Sequence, residues 1–292
     1  MSNAAAIDRS VIVGVDGSPG SVVALHWAMD HADRLGRVVP VTTYVGGPFE
    51  HEYGSTTEFD DAGDPFRNEA ILLLSRFLEK NAPELVDDGV VVKHRAGPGL
   101  VEAAEGAELI VVGTRGWSAR KDRSLGSVGA YCARHARVPV ALIPDDVPPF
   151  HDRFSVVVGV DGSHQAAHAL RWTLDHVRRD ALVTAVRVIT RGPVAGDPLS
   201  MSVDEIEAEA REELSTGVAE IVATADGHPQ VEMLVAPGDP REVLGTAIAG
   251  TDLLVVGARG HGVIHRLMLG SVATALAHHP TLPTIIVPHD GD

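Results

Sequence analysis

The sequence predicts an α/β protein of two tandem, doubly wound domains, each with a five-stranded parallel sheet. Two long segments repeat each other, and each alternates short apolar runs with helical segments. Aromatic residues make up only 4% of the chain, so aliphatic side chains must fill the cores. This is typical of parallel strands covered by helices on both faces. A length of 292 residues suits two domains of ordinary size.

Each repeat starts with an apolar strand, the letters VGVDGS, and a helix that carries a tryptophan. Asp16 and Trp27 in the first copy match Asp161 and Trp172 in the second, and both pairs have the same spacing. Internal repeats of this kind indicate duplicated structural units. The two copies therefore predict the same fold twice.

The segment between the copies, residues 144–153, is rich in proline and polar side chains, as expected of a linker. We expect a first domain over residues 1–147 and a second over residues 148–292. Neither core can rely on an internal disulfide, because Cys132 is the only cysteine.

In the first domain, apolar runs predict strands at 10–15, 37–44, 90–94, 109–112 and 139–143. The intervening segments predict helices at 19–35, 66–81, 99–106 and 127–136. Ser18-Pro19 favours a helix start, with serine as the N-cap and proline at the first helical position.

In the second domain, strands are predicted at 155–160, 182–189, 230–235, 253–256 and 284–287. A long helix is expected to begin at Ser202, because Glu205 completes a capping box. The spacing from Gly97 to Gly113 is shorter than that from Gly238 to Gly257, which predicts a shorter third helix in the first domain. Ligands of such sheets bind at the carboxyl ends of the strands.

A glycine pattern follows the fourth predicted strand of each domain: Gly, two residues, Gly, nine residues, Gly, Ser. Its members are Gly113, Gly116, Gly126 and Ser127 in the first domain, and Gly257, Gly260, Gly270 and Ser271 in the second. Such glycines permit positive φ and let backbone amides approach a phosphate chain. The Gly-Ser pair then opens a helix whose N-terminus attracts anions, and the serine can cap that helix or bind phosphate. Tight turns without a ligand are the alternative.

Charged residues accompany the glycines. Arg115 and Arg259 lie inside the first glycine pair and add positive charge. Asp16 and Asp161 follow the first strand, where an aspartate can organise the turn before the helix.

Together, VGVDGS, the glycine–serine pattern and the final strands HARVPVALIP and HPTLPTIIVP resemble the universal stress protein family over nearly the whole chain. The resemblance implies a Rossmann-like universal stress protein fold and the ATP-binding branch of the family. It implies that the end of the second strand offers backbone groups to adenine. It also implies that Asp16 and Asp161 lie beside the nucleotide, where a carboxylate needs a cation shared with phosphate or a hydrogen bond from ribose or adenine. The ATP-binding residues that it implies are Gly14, Asp16, Thr43, Gly113, Arg115, Gly116, Gly126, Ser127, Val128, Gly159, Asp161, Val188, Gly257, Arg259, Gly260, Gly270, Ser271 and Val272.

By this resemblance we expect an ATP-binding regulator of the stress response, in which nucleotide occupancy tunes conformation or partner binding. Two alternatives stay open: a weak metal-dependent ATPase with Mg²⁺ at Asp16 and Asp161, and a scaffold that binds no nucleotide. We assign no catalytic residue, because no general base or metal-binding carboxylate pair is evident, and expect at most slow hydrolysis. The charged and bulky residues at 117–125 make the second domain the safer candidate for ATP binding.

The resemblance also implies pairing of the two domains through their last strands, 139–143 and 284–287, with a homodimer and an unidentified protein partner as further expectations. The formal net charge of −16 argues against a nucleic-acid partner. We expect a cytoplasmic protein without membrane contact, since neither a signal peptide nor a membrane-length apolar run is evident.

Other conspicuous residues have structural interpretations. The helical histidines, His26, His31, His168 and His176, are expected to lie at the surface or to pack between helices rather than to bind metal, and His278-His279 is interpreted as structural. We expect Cys132 to be buried and inert. The acidic stretch 46–66 is interpreted as a solvated loop, with a lid over the ATP site as the alternative.

Overall fold

The computed structural model describes residues 9–46, 64–116, 125–147, 151–190, 202–225, 227–260, 269–278 and 280–288. The chain divides into two compact units, Met1–Asp145 and Asp146–Asp292, called here the first and second domains. No helix within the described ranges is long and apolar enough to cross a membrane.

Strands and helices alternate along the first domain. The order is β1 (Ser10–Gly14), α1 (Pro19–Asp30), α2 (Ala32–Leu35), β2 (Arg37–Tyr44), α3 (Pro65–Asn81), a 3-10 turn (Pro83–Asp88), β3 (Val90–Lys93), α4 (Ala96–Ala103), β4 (Leu109–Gly113), α5 (Ser127–His135) and β5 (Val140–Ile143). The strands are parallel and lie in the order β3-β2-β1-β4-β5. The chain reverses its direction of travel across the sheet between β1 and β4, where such folds open a crevice for ligands.

The second domain repeats this plan. Its elements are β6 (Ser155–Gly159), α6 (His164–His176), β7 (Leu182–Ile189), α7 (Val203–Val222), β8 (Gln230–Pro237), α8 (Pro240–Ala247), β9 (Leu253–Gly257), α9 (Ser271–His278) and β10 (Thr284–Val287). Its parallel order is β8-β7-β6-β9-β10, which matches the first domain strand for strand. The predicted fold class, two tandem doubly wound parallel-sheet domains, is confirmed.

Aliphatic side chains fill both cores, as the scarcity of aromatic residues requires. Val11, Val13 and Leu109 on the central strands of the first domain have no exposed surface. Val158 and Val255 are equally buried in the second. Burying an aliphatic side chain of this size stabilises a fold by roughly 1.5–3 kcal/mol, so the apolar strands hold each sheet in place.

Two helix predictions need correction. The predicted helix 19–35 is two helices, because α1 ends at Asp30 and its C-cap residue, His31, leaves the helical region with a φ of −114° and a ψ of 5°. The third helix is not shorter in the first domain, since α4 and α8 both have 8 residues. Gly97 lies inside α4, whereas Gly238 precedes α8 with a φ of +146°, so the two glycines are not equivalent.

Candidate functional site

The predicted binding residues of the first domain converge at the carboxyl ends of β1, β2 and β4. They line one open cavity of about 1480 Å³. The members of the predicted set on its wall are Gly14, Asp16, Thr43, Gly113, Arg115, Gly116, Gly126, Ser127 and Val128. The sequence therefore identified residues that the fold brings together.

The second domain places its predicted residues on the matching elements. Gly159 ends β6, Val188 lies near the end of β7, and Gly257 ends β9. Asp161 follows β6, while Arg259 and Gly260 follow β9, and Gly270 directly precedes the helix start at Ser271-Val272. Apart from Thr43, which is matched by Val188, the same residue types thus occupy the same structural positions twice.

The aspartate after the first strand organises a turn in both domains. Asp16 Oδ1 accepts a hydrogen bond from the Ser18 amide at 2.9 Å, and Asp161 Oδ1 accepts one from Ser163 at 3.0 Å. Each serine then caps the following helix through its hydroxyl oxygen. The turn role considered for these aspartates is present, and it uses one carboxylate oxygen of each.

The second carboxylate oxygen lies against the glycine loop. A Cβ added to Gly116 would come within 2.5 Å of Asp16 Oδ2. A Cβ added to Gly260 would overlap Asp161 Oδ2. Without a shift of the carboxylate or the loop, only glycine fits at either position, so the turn and the loop lie in close contact.

Positive φ is not what the motif glycines provide. None of the six glycines of the two patterns has φ in the left-handed region; instead Gly17, at +81°, and Gly162, at +84°, adopt it in the VDGS turn. The motif glycines serve close approach: a Cβ on Gly113 would lie 2.7 Å from the Gly20 backbone. The expectation of positive φ in the glycine pattern was therefore wrong, and steric room is the reason for glycine there.

The last glycine of each pattern ties the helix start to the loop. The Gly126 amide donates to the Thr114 carbonyl at 2.8 Å, and Gly270 donates to Ala258 at 2.8 Å. Gly126 is itself the N-cap of α5, so Ser127 is the first helical residue. Ser127 therefore does not cap the helix, and its hydroxyl lies at a helix start where amide groups lack partners inside the helix.

The end of the second strand extends past the first. The Val15 amide donates to the Val41 carbonyl at 2.9 Å, and Val160 donates to Val186 at 2.8 Å. Backbone groups along a strand alternate between its two sides, so those of Thr43 and Val188 face the same way as their bonded neighbours two positions earlier. They face the crevice beyond the end of the first strand.

An ion pair that the sequence analysis missed lies at the glycine loop of the first domain. Arg115 Nε is 2.9 Å from Asp145 Oδ2, just after β5. The arginine was predicted to add charge to the site, but its guanidinium is already paired. The carboxyl end of β5 lies beside that of β4, so a residue after β5 was a candidate that sequence position alone could have indicated.

The rim of the first site is held by Tyr44, Asp64 and Lys93. Tyr44 donates its hydroxyl to Asp64 Oδ2 at 3.3 Å, and Lys93 Nζ lies 3.5 Å from the same oxygen. Burial, followed by the Asp64 charge, raises the pKa of Tyr44. Burial acts to raise the pKa of Asp64, but hydrogen bonds from the amides that it caps and the Lys93 charge lower it overall.

Histidines and the cysteine have the expected packing roles. His31 and His176 stack on Trp27 and Trp172 with ring centroids 4.4 and 4.5 Å apart. The remaining two helical histidines, His26 and His168, lie 3.0 and 3.4 Å from backbone carbonyls of other elements. Cys132 is buried, and burial raises its pKa to about 12, which makes the thiol inert.

Several interpretations fall outside the described residues. These are most of the acidic stretch 46–66, most of the nine-residue stretches within the glycine patterns, and His279. Among the residues that the structure does describe, no group of three or more acidic, histidine or cysteine side chains is arranged to hold a metal ion.

Comparison with known proteins gives a consistent result. The model of the universal stress protein family matches residues 9–144 and again 153–288. Universal stress protein Rv2005c of Mycobacterium tuberculosis is 29% identical over 293 residues, covering 95% of this chain and 96% of its own. Universal stress protein Rv2623 of the same organism is 28% identical over 296 residues, covering 94% and 95%. A crystal structure of a universal stress protein from Archaeoglobus fulgidus has a TM-score of 0.64 at 20% identity, covering 97% of this chain and 99% of that one, and shares its fold.

Proposed function

The chain belongs to the universal stress protein family, with one copy of the family domain in each half, and we propose that it is an ATP-binding regulatory protein of the stress response. Each domain binds one nucleotide at the crevice between its first and fourth strands. Occupancy of these sites tunes the conformation of the chain or its affinity for a protein partner.

The observation that supports this proposal is that the same arrangement of aspartate turn, glycine loop and helix start, called here the cradle, occurs twice. In each domain an aspartate carboxylate fills the space that a glycine leaves open, at Gly116 and Gly260. In each, the last glycine of the motif donates its amide to the glycine loop at 2.8 Å and directly precedes a helix. Backbone amides at a helix start and a glycine loop that admits close approach are suited to a phosphate chain.

The nucleotide is oriented by the two ends of the crevice. The phosphates lie at the starts of α5 and α9, and the adenine edge meets the backbone of Thr43 or Val188. Adenine offers both a donor and an acceptor on its edge, and a strand end offers the matching amide and carbonyl. The apolar wall of the cavity, which includes Val15, Val41 and Leu100, suits the faces of a base.

A magnesium ion fits this arrangement. Mg²⁺ is commonly held by one or two carboxylates together with phosphate oxygens and water. Asp16 and Asp161 each use one oxygen in the turn, and the other lies at the glycine loop. The ion would supply charge neutralisation between the carboxylate and the phosphates.

The turn also offers a route from the ligand to the rest of the domain. Asp16 contacts Gly116 on one side and holds the Ser18 amide on the other, and Ser18 caps α1. A ligand that displaces the loop at Gly116 therefore acts on the start of α1. This connection supports a regulatory role for occupancy.

The test is to count adenine nucleotides in freshly purified protein by denaturation and mass spectrometry, followed by calorimetric titration of stripped protein with Mg-ATP. About two nucleotides per chain support binding at both sites, and one per chain supports binding at a single site. No bound nucleotide and no heat on titration would reject the proposal in favour of the scaffold. Gly245→Ala is a control variant that should bind nucleotide as the wild type does, because a Cβ there meets nothing within 4 Å.

A further inference from the structure

Asp145 occupies a position that affects the first site without lining its cavity. It follows Pro144 at the carboxyl end of β5, and its Oδ2 lies 2.9 Å from Arg115 Nε. Arg115 belongs to the glycine loop and lines the cavity. The two side chains are 31% and 30% exposed, so the pair is accessible to an exchanging anion.

The other oxygen of this carboxylate is unsatisfied. Asp145 Oδ1 is buried and has no hydrogen-bond partner in the described part of the chain. A Cβ on Gly20 would lie 3.2 Å from it, which places the oxygen at the first turn of α1. The positive end of a helix favours a negative charge there, but a buried acceptor without a donor still destabilises the unliganded arrangement.

Arg115 consequently has two possible anionic partners: the carboxylate that it contacts now, and the phosphates of a ligand in the adjoining cavity. Arginine binds either one through the same planar set of donors, so contacts to both compete. Asp145 also adds a negative charge near an anionic ligand, which opposes binding. Both effects weaken the first site.

The second domain differs at this position. The aligned ends HARVPVALIPD and HPTLPTIIVPH place His289 where the first domain has Asp145. His289 lies outside the described residues, and the comparison uses only its identity: histidine has no carboxylate to offer an arginine. The residue at this position therefore differs between the two domains.

We propose that Asp145 is a built-in competitor of the ligand's phosphates for Arg115, and that it lowers the nucleotide affinity of the first site. The inference rests on the proposed function. It identifies Asp145 as a residue that tunes affinity, and it explains why an ATP-binding loop carries an arginine that is already paired.

The test uses the full chain and reads the two sites separately by hydrogen–deuterium exchange during a Mg-ATP titration. Peptides that cover 125–135 report the first site, and peptides that cover 269–278 serve as an internal reference. Asp145→Asn keeps the size of the side chain and removes its charge. It should tighten binding at the first site about two- to fivefold, the range of an exposed ion pair, and leave the second unchanged. The gain should shrink at high salt.

Two further variants separate competition from general electrostatics. Asp146→Asn removes the same charge one residue away, from an exposed position, and should not reproduce the gain. Arg115→Gln should weaken binding at the first site, and adding Asp145→Asn to it should restore nothing. A denaturation curve for each variant establishes that it is folded.

The outcomes are distinct. Weaker or unchanged binding in Asp145→Asn, a gain that persists with Arg115→Gln, or an equal gain in Asp146→Asn would each overturn the competition while leaving the proposed function in place. If Mg-ATP protects neither site in any variant, both the proposed function and this inference are rejected. A gain confined to the first site and dependent on Arg115 supports the proposal.

Discussion

The two domains agree closely at the phosphate cradle and diverge in the contacts around it. The aspartate-to-serine hydrogen bond is 2.9 Å in one domain and 3.0 Å in the other, and the serine N-cap bond is 3.2 Å in both. By contrast, the N-cap of α3, Asp64, is bound to two neighbouring strands through Tyr44 and Lys93, whereas α7 begins with a local capping box. Backbone geometry set by a few glycines and one aspartate is retained, while side chains that hold the surrounding elements are free to vary.

At the amino ends of the strands, the two domains differ in how deeply a carboxylate is buried. Asp252, just before β9, is 2% exposed and accepts hydrogen bonds from the amides and side chains of His151 and Ser155. The first domain has the half-buried Glu108 at this place. The second domain thus fixes the starts of two strands with one buried carboxylate.

The largest effect is expected from Asp252→Asn. The amide nitrogen would face donors that now meet a carboxylate oxygen, so the free energy of unfolding should fall by about 2 kcal/mol. Urea denaturation measures it. Glu108→Gln is the matched change in the first domain and should cost less. Equal losses would show that the carboxylates before β4 and β9 contribute equally to stability.

The same residue predicts a pH dependence. Burial acts to raise the pKa of Asp252, but hydrogen bonds from His151 and Ser155 outweigh it, and the pKa is lowered. A lowered pKa in the folded state adds stability above the unfolded value of about 4, and this stability is lost as the pH falls through the folded pKa. The difference between wild type and Asp252→Asn should therefore be full at neutral pH and shrink below about pH 4.

The second largest effect is expected from Gly260→Ala. The new Cβ would overlap Asp161 Oδ2, so the turn or the loop must shift, at a cost of about 1–3 kcal/mol. Mg-ATP binding at the second site should weaken as well. Gly116→Ala should be milder, since its Cβ would stand 2.5 Å from Asp16 Oδ2.

The matched control is Gly217→Ala in α7, where a Cβ would meet nothing within 4 Å. Alanine at a helix-interior glycine should stabilise the protein by about 0.5–1 kcal/mol. Chemical denaturation of the three variants measures the free energy of unfolding, and calorimetry measures Mg-ATP binding. If Gly260→Ala behaved like this control, the close approach of aspartate and glycine would have no energetic importance.

The fold was predictable because its determinants are local. Continuous apolar runs located every strand to within two residues, and the capping box at Ser202 located the start of α7. The start of α4 was missed because Gly97, Pro98 and Gly99 disfavour a helix by propensity, yet tertiary packing forms one.

The site was predictable only in part. The glycines and aspartates follow strands directly, so their positions could be read from spacing. Asp145 was a candidate by its position after β5, but its pairing with Arg115 joins residues that are distant in sequence. The Tyr44–Asp64–Lys93 contacts are equally distant, and no local pattern reveals such pairs. The sequence also did not reveal why the pattern requires glycine, because positive φ and steric room both select this residue.

A smaller effect should come from Asp64→Asn, which tests whether the rim of the first site differs electrostatically from that of the second. After burial, the Asp64 charge is the next cause of the raised Tyr44 pKa. Removing that charge should lower this pKa, and ultraviolet absorbance of tyrosinate measures the shift. Ser202→Ala, at the matching helix start, should leave the tyrosine titration unchanged. A shift in both would contradict a local contact.

The smallest effect concerns a feature that the two domains share. His31 and His176 each stack on a tryptophan one turn earlier, and their Nδ1 atoms lie 2.7 and 2.8 Å from that residue's carbonyl oxygen. A carbonyl only accepts, so both rings carry their proton on Nδ1. His31→Gln and His176→Gln should each lower the free energy of unfolding by about 0.5–1 kcal/mol, through loss of the stacking. Denaturation with a domain-resolved exchange readout should give equal losses; a clear inequality would mean that the divergence between the domains reaches the helices behind the cradle.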